Sequence, residues 1–319
     1  MSKNFLKESN NAVKIATNYL KNGKLVSIKT ETVYGIACNP SDINAIKKLY
    51  ELKNRPVFNP LIIHVDSISM ASNFVVFNED AKRIAKKFWP GPLTLILPKI
   101  KNNLINEFSI SGLNTIAVRI PDSKIFLDII KSFGNPIAAP SANESGYISS
   151  TNAQHVIDSF GKKIDLVIDS GKCELGLEST IIDLCIKPYL VRRLGILNVE
   201  KIFNETGINI KIADKKNKLK KPNSPGQIEK HYAPRTPLMM NIKKPEQGDA
   251  FLNFGKDCIN NHKPSLNLSM DGNLEEAAQN LFDFLRRLDK LSMNRIVVTP
   301  IPDQGLGKTI NERLNRASL

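Results

Sequence analysis

Apolar residues recur along the first two thirds of the chain in two alternating patterns. One repeats every three to four residues, like the buried face of a helix. It predicts helices over residues 11–22, 41–53, 80–88, 124–131 and 153–160. The other consists of short apolar or alternating runs, which are typical of strands. It predicts strands over residues 25–28, 60–65, 93–97, 115–120, 136–139, 164–169, 180–184 and 186–192. Because helices and strands interleave, we expect an α/β domain with a parallel or mixed sheet over residues 1–208.

The periodic pattern stops after this domain and resumes near residue 238. Lysines and prolines dominate residues 211–237 and no apolar face emerges there, so we predict a linker over residues 209–237. Beyond it the pattern predicts a strand and turn, a long helix, another strand and a short terminal helix. These cover residues 250–255, 273–291, 295–299 and 311–316. We therefore expect a second, smaller α/β domain over residues 238–319.

Composition is that of a globular protein. The 319 residues are 41% hydrophobic, and no apolar run approaches the ~20 residues that cross a bilayer. Residues 1–8 lack the basic and apolar segments of a signal peptide. The four cysteines, at positions 38, 173, 185 and 258, form no closely spaced pair, so neither a zinc site nor a disulfide scaffold is indicated. We expect a cytoplasmic protein with no membrane partner.

The formal net charge of +14 allows two interpretations. Lysine and arginine neutralise phosphates, so the charge is compatible with nucleic-acid binding. However, residues 211–230 contain seven lysines against two acidic residues, and such a cluster more often marks a solvated linker. The charge alone does not decide between them.

The candidate chemistry begins where the first strand ends. Hydroxyls, a carboxylate and a glycine follow in residues 30–35, and then come Lys53, Arg55, Asn59 and His64. Polar groups at strand ends form the ligand sites of open α/β sheets. Two cations beside hydroxyl and amide donors suit a phosphate.

Further polar groups occur at the ends of later elements. They include Thr115 and Arg119, which face the same side of a strand, and residues 149–151, which could cap the helix that begins at residue 153. The others are Ser141, Asn143, residues 178–180, residues 192–195, His231 and Tyr232. Each alone suits capping or turn chemistry, and His64 alone is more often structural than a base. Together they form a cationic, hydroxyl-rich set without a nucleophile–base pair or a P-loop, which indicates phosphoryl-type transfer.

Several motifs occur in an order that resembles the YrdC/Sua5 family of L-threonylcarbamoyladenylate synthases, in its long, Sua5-type form. They cover residues 30–35, 53–61, 89–94, 118–121, 139–143, 178–180, 224–226, 231–234, 305–307 and 311–317. The resemblance implies a YrdC-like twisted open mixed sheet with a large cationic cavity, and a smaller Rossmann-like α/β C-terminal domain. It makes residues 1–208 the catalytic domain and places the linker over the active site.

The resemblance also implies an activity. A nucleotidyltransferase would convert L-threonine, bicarbonate and ATP to threonylcarbamoyl-AMP and pyrophosphate. This is the first step toward N6-threonylcarbamoyladenosine at position 37 of tRNA. Mg²⁺ would arrive with ATP rather than on protein ligands. A threonylcarbamoyl transferase complex would accept the product, and the chain would contact tRNA weakly.

The family pattern assigns thirteen site residues. L-threonine would be bound by Thr32, His64, Arg119, Ala139 and Ser179. ATP would be bound by Lys53, Arg55, Asn59, Thr115, Ser141, Ser149, Arg193 and Tyr232, with Lys53 and Arg55 as the catalytic pair. Tyr232 would close over the nucleotide.

Two departures from the family pattern stand near the site. Lys29 replaces a common proline, and Asn54 replaces a common glycine whose left-handed backbone conformation asparagine tolerates. Two other readings compete with the synthase. One is a non-catalytic module that binds double-stranded RNA or tRNA. The other is a carbamoyl-phosphate-using maturation enzyme, whose zinc-finger cysteines and acylphosphatase segment this sequence lacks.

Overall fold

The structure is a computed structural model that describes residues 4–213, 231–256 and 264–319. Nine α-helices, α1 to α9, lie within these residues. In chain order they are Asn10–Lys21, Ile43–Lys53, Ile68–Ala71, Glu79–Phe88, Lys124–Phe133, Ala153–Phe160, Val199–Thr206, Leu274–Asp289 and Leu306–Ala317.

Fifteen strands, β1 to β15, lie within the same residues. In chain order they are Phe5–Lys7, Val26–Lys29, Tyr34–Ala37, Ile62–His64, Leu93–Pro98, Thr115–Arg119, Ile137–Ala138, Leu166–Asp169, Thr180–Asp183, Tyr189–Arg193, Ile210–Ile212, Leu238–Met240, Asp249–Asn253, Ser265–Asn267 and Arg295–Val298.

The described strands form three sheets. A four-stranded sheet has the order β1-β8-β2-β3, and a seven-stranded sheet has the order β11-β10-β9-β5-β6-β4-β7. Both mix parallel and antiparallel pairs, whereas the third sheet, β12-β15-β13-β14, is entirely parallel. The predicted mixed α/β fold with open sheets is therefore confirmed.

Strand register places three candidate residues close together. In the seven-stranded sheet, His64 on β4 lies opposite Arg119 on β6. On the other side of β5, the register of β10 on β9 shifts between Val191 and Arg193. Such an irregularity redirects side chains. His64, Arg119 and Arg193 consequently point into one region of the fold, where they line a common cavity.

Local signals around α2 agree with the sequence. Asp42 caps its N-terminus by accepting hydrogen bonds from the amides of Asn44 and Ala45. Asn54 ends the helix in the left-handed conformation, with φ at 49°, so the expected tolerance for asparagine is confirmed. Lys29 pairs with Glu174 at 2.5 Å.

The expected cap of α6 is wrong. Asn152, rather than residues 149–151, caps this helix by accepting a hydrogen bond from the amide of His155. Ser149, Ser150 and Thr151 are instead fully buried. The N-cap is the residue directly before the first helical residue, so Asn152 rather than residues 149–151 holds that position before Ala153. The carbonyls of Ser149 and Ile148 instead accept hydrogen bonds from Arg286 on α8 at 3.2 and 2.5 Å.

The first residues of the predicted linker belong to the seven-stranded sheet. Ile210–Ile212 forms β11 and pairs in parallel with β10, although the sequence shows no strand pattern there. Residues 214–230, with most of the lysine cluster and the motif at residues 224–226, lie outside the described residues, as does Cys258. Cys38, Cys173 and Cys185 are free thiols.

One apolar cluster contains residues from both predicted domains. Val33, Ile148 and Leu177 belong to the same buried cluster as residues of α8 and α9. The main chains also approach closely, since a Cβ on Gly176 would lie 2.6 Å from the Cα of Gln279. In the part of the chain that is described, no helix has both the length and the apolar character of a membrane span.

Replacing Arg286 by methionine should destabilise the protein. The side chain is 2% exposed and its donors satisfy buried carbonyl and hydroxyl groups at Ile148, Ser149 and Ser150. Leaving these unpaired should lower the free energy of unfolding by about 3 kcal/mol. Denaturant unfolding of both proteins measures the difference.

The neighbouring Arg287 provides the matched control. Its side chain is 55% exposed and lies 3.8 Å from Asp283, so Arg287→Met should change the free energy of unfolding by less than about 0.5 kcal/mol. Equal effects of the two substitutions would contradict the role given to Arg286.

Candidate active site

A small cavity of about 50 Å³ opens among the ends of the central strands. Eight of the thirteen candidate residues line it: Thr32, Arg55, His64, Arg119, Ala139, Ser141, Ser179 and Arg193. The family resemblance implied a large cavity, whereas the space found here holds only a few water molecules. Three guanidinium groups and the carboxylate of Glu178 line it.

A buried ion pair forms one wall. Arg119 donates to Glu31 Oε1 at 2.6 Å, to Thr32 Oγ1 at 3.0 Å and to the Gly91 carbonyl at 3.1 Å. The Glu31 and Arg119 side chains are 6% and 5% exposed. Thr30 closes the turn before β3 by donating to the Val33 carbonyl at 2.7 Å. The turn and the ion pair together fix the hydroxyl of Thr32 beside the guanidinium.

His64 lies beside this wall as a neutral imidazole. Burial, followed by repulsion from Arg119, lowers the pKa of His64 to about 3. The ring packs against Phe126 with centroids 5.1 Å apart. Its Nδ1 atom is buried and has no hydrogen-bond partner among the described residues.

The opposite wall is built around Ser179. Arg193 donates to the Ser179 carbonyl at 3.1 and 2.9 Å and to its hydroxyl at 3.1 Å. Thr94 shares a hydrogen bond of 2.8 Å with the same hydroxyl. Gly195 permits a close approach, because a Cβ there would lie 2.4 Å from the Ser179 carbonyl carbon.

Glu178 holds the neighbouring segment in place. Its Oε1 accepts a hydrogen bond from Ser149 at 2.6 Å, and its Oε2 accepts one from Arg313 at 3.0 Å. Burial acts to raise the pKa of Glu178. The positive charges of Arg313 and Arg193 and the Ser149 hydroxyl outweigh burial, so the net pKa is lowered. The carboxylate is therefore ionised near neutral pH.

Lys53 and Arg55, the predicted catalytic pair, differ in their position relative to the cavity. Lys53 is 1% exposed and does not line the cavity; it donates to the Ser141 carbonyl at 2.5 Å and to the Asn143 carbonyl. Burial, followed by repulsion from Arg55, holds the pKa of Lys53 well below its usual value. Arg55 lines the cavity while donating to the Asn59 and Pro60 carbonyls at 3.0 and 2.8 Å.

Four further candidates do not line the cavity either. The Asn59 side-chain oxygen is buried without a partner among the described residues, and Ser149 is engaged by Glu178. Thr115 starts β6, about 13 Å along the strand from Arg119. Tyr232 is buried behind His231, with ring centroids 4.0 Å apart.

Further residues of the sequence motifs line the cavity, although the family pattern assigned them no role. Thr30, Glu178 and His231 line the cavity, and each belongs to a motif noted in the sequence. Arg313, which binds Glu178, lies 135 residues beyond it in the chain. No local pattern connects these two residues. Their only sequence signal is that each lies in a family motif.

The arrangement suits the binding of two anionic groups. Guanidinium groups of Arg55, Arg119 and Arg193 reach the cavity from different strands and loops. Such groups bind carboxylates and phosphates through paired hydrogen bonds. Both oxygens of Glu178 are engaged, and His64 is uncharged. The site can therefore orient anions and stabilise developing negative charge.

Two protein-family models match the chain. One, described as telomere recombination and named for Sua5, YciO and YrdC, matches residues 18–195. The other, described as the threonylcarbamoyl-AMP synthase C-terminal domain, matches residues 196–318.

Full-length relatives carry the same name. The threonylcarbamoyl-AMP synthase of Pyrococcus abyssi is 37% identical over 322 residues, which cover 96% of this chain and 94% of the relative. That of Bacillus subtilis is 35% identical over 321 residues, which cover 95% and 92%.

Solved structures agree in fold. The crystal structure of P. abyssi Sua5 complexed with L-threonine aligns with a TM-score of 0.90 at 35% identity, covering 98% of this chain and 96% of that one. Escherichia coli YciO, 22% identical with a TM-score of 0.57, covers 63% of this chain and 100% of its own, and shows the fold alone. Both parts of the chain are thus accounted for by one kind of protein. The chain belongs to the threonylcarbamoyl-AMP synthase family, in its long, Sua5-type form.

Proposed function

We propose that this chain joins L-threonine, bicarbonate and ATP into threonylcarbamoyl-AMP and releases pyrophosphate. The observation that carries the proposal is the cavity itself, where Arg119 and Thr32 form one wall and Arg193 and Ser179 form the other. Two anion-binding walls match two anionic reactants, an amino-acid carboxylate and a triphosphate.

L-threonine occupies the wall of Thr32, His64 and Arg119 in this proposal. The guanidinium of Arg119 already donates to Thr32 Oγ1 at 3.0 Å, so it presents a fixed edge toward the cavity. It binds the carboxylate of the amino acid. Ala139 and Ser179 complete the set and also line the cavity.

ATP occupies the wall of Arg55, Ser141 and Arg193. Lys53, the other member of the predicted catalytic pair, holds the Ser141 carbonyl, and the Asn59 carbonyl accepts a hydrogen bond from Arg55. Ser149 acts through Glu178, and Thr115 stays an assignment that rests on the family pattern alone.

The cavity of about 50 Å³ does not hold a whole nucleotide, so in this proposal part of the ATP lies outside it. In this proposal Tyr232 and the adjoining His231 close over the bound nucleotide. His231 lines the cavity, and the ring of Tyr232 contacts it from behind.

The reaction follows from this arrangement. The threonine amine takes up CO₂ from bicarbonate to form a carbamate, with loss of water. A carbamate oxygen attacks the α-phosphorus of ATP, and the bond to the β-phosphate oxygen breaks to release pyrophosphate. Arg55 and Arg193 stabilise the charge that develops on the phosphoryl oxygens. Exclusion of water protects the labile product.

Mg²⁺ enters this site with its substrate. The one carboxylate that lines the described cavity, Glu178, has both oxygens engaged by Ser149 and Arg313. No group of three or more metal-binding side chains lies within residues 4–213, 231–256 and 264–319. In this proposal the phosphates carry the ion, as is usual for Mg²⁺.

The proposal extends to the organisation and setting of the protein. Residues 1–208 form the catalytic domain, residues 209–237 the linker over the active site, and residues 238–319 the C-terminal domain. A threonylcarbamoyl transferase complex takes the product to position 37 of tRNA, which this chain contacts only weakly. Free thiols at Cys38, Cys173 and Cys185 suit the reducing cytoplasm, where we place the reaction.

Replacing Arg55 by alanine should lower kcat at least about 100-fold, because it removes a donor from the phosphate-binding wall. Pyrophosphate release is measured with and without L-threonine and bicarbonate. The exposed Arg83 of α4 provides the control, and Arg83→Ala should retain the wild-type rate. Unchanged turnover of Arg55→Ala would refute its assignment. A wild-type protein that binds tRNA but releases no pyrophosphate would favour the RNA-binding module instead.

The neutral state of His64 predicts how stability depends on pH. Its pKa is about 3 in the folded protein and about 6.5 when unfolded, so only the unfolded state takes up a proton between these values. Stability must therefore fall as the pH is lowered. From pH 7.5 to 5.5, His64 should account for a loss of about 1.4 kcal/mol.

Urea unfolding of the unliganded protein at both pH values tests this expectation. His64→Asn should lose about 1.4 kcal/mol less stability than the wild type between pH 7.5 and 5.5. Ile62→Val, on the same strand, removes a methyl group without removing a titrating group and should keep the wild-type difference. Identical pH dependence in the wild type and His64→Asn would show that His64 is not held neutral.

A further inference from the structure

Arg313, on the last helix, has an extended set of buried contacts with the catalytic region. The residue is 1% exposed. Its Nε donates to Glu178 Oε2 at 3.0 Å, its Nη2 donates to the Leu194 carbonyl at 2.6 Å, and its Nη1 contacts Glu312. Two of these three partners belong to the segments that carry Ser179 and Arg193. The last helix is therefore bound directly to the cavity wall.

The same guanidinium also supports the segment that follows the linker. It lies over the ring of Tyr232, 4.8 Å from the ring centroid, while Phe282 stacks on the ring at 5.4 Å. Tyr232 in turn contacts the ring of His231, which lines the cavity. An arginine can donate in its plane and stack with its face at the same time. One side chain thus contacts the segments of Glu178, Leu194 and Tyr232, each of which contributes a residue to the cavity lining.

We propose that Arg313 is a positioning residue, which binds Glu178 and the face of Tyr232 and thereby holds Ser149, Ser179 and His231 at the cavity. The reaction that it supports is the one proposed above, and the inference rests on that function for its kinetic consequence. The C-terminal domain is accordingly part of the catalytic apparatus.

The charge around Glu178 gives this role a specific signature. The charged and titratable groups that face its carboxylate are Arg313 from α9, Arg193 from β10 and His231, beside the hydroxyl of Ser149. Without Arg313, burial is opposed less, and the pKa of Glu178 rises. A protonated Glu178 loses its negative charge, and one of its two acceptor oxygens becomes a donor. The grip on Ser149 then weakens as the pH falls.

Arg313→Gln tests the proposal, with Arg295→Gln as its matched control. Arg295 also lies in the C-terminal region and pairs with Asp249 and Glu246, each at 2.6 Å, but it does not line the cavity. Threonine-dependent pyrophosphate release should fall at least tenfold in Arg313→Gln and less than twofold in Arg295→Gln. Relative to wild type, the rate of Arg313→Gln should fall further as the pH is lowered from 8.0.

Arg313→Lys separates charge from geometry. Lysine keeps a positive charge beside Glu178, so its rate relative to wild type should not change with pH, but it cannot bind all the partners of Arg313. A rate for Arg313→Gln equal to that of Arg295→Gln would overturn the proposal. If Arg313→Gln does not fold, Arg313→Lys decides: a rate at least threefold below Arg295→Lys supports the proposal, and an equal rate overturns it.

Hydrogen exchange distinguishes failure of this inference from failure of the proposed function. The amide of Ile196 donates to the Glu178 carbonyl at 3.2 Å, and the amide of Ala233 donates to the Gly146 carbonyl at 2.9 Å. Both should exchange faster in Arg313→Gln than in Arg295→Gln. An inactive wild-type protein would refute the function and leave this comparison intact. Equal exchange in the two variants would refute the positioning role.

Discussion

The burial of cationic side chains is the constraint on which the rest of the structure depends. Lys53, Arg119, Arg193, Arg286 and Arg313 are all at most 8% exposed. A buried cation is costly unless acceptors replace its water. Here about half of the acceptors are main-chain carbonyls of loops, and the others are mainly hydroxyls and carboxylates. Each cation therefore orders the loop that satisfies it. Cationic side chains hold the loops around the cavity, because apolar packing alone would leave the polar groups of their backbone without hydrogen bonds.

This constraint separates the cations into two groups with different tasks. Lys53 and Arg286 direct their donors to carbonyls and lie away from the cavity, so they hold the segments at residues 141–143 and 148–150. Arg55, Arg119 and Arg193 also bind carbonyls or hydroxyls, but they retain a face toward the cavity. Such a site is organised before substrate arrives. It can stabilise developing charge with little reorganisation, which is where electrostatic catalysis is strongest.

Local sequence patterns predicted those features that depend on neighbouring residues, such as helix positions and helix ends. The spacing of apolar residues located α1, α2, α4 and α5 to within a few residues, and asparagine tolerated the left-handed end of α2. Residues 149–151 could cap α6 by their residue types, but Asn152 is the cap, and the bond of Arg286 to the Ser149 carbonyl, over 130 residues away in the chain, gives no local signal. Thr115 and Arg119 lie at opposite ends of β6, and the rise of about 3.3 Å per residue separates them by about 13 Å, so sharing a strand face does not bring both to the cavity. The contact of Glu178 with Arg313 likewise depends on tertiary packing alone.

The boundary between the two parts of the chain does not separate two independent cores. Val33 and Leu177 pack in one cluster with residues of α8, and the main chain at Gly176 approaches that of α8 too closely for any side chain. Glu178, one residue beyond Leu177, is held from one side by Ser149 and from the other by Arg313. A displacement of the last helices would therefore shift the carboxylate and, with it, the cavity wall at Ser179. Because close-packed interiors transmit such shifts, the geometry of the cavity depends on both parts of the chain.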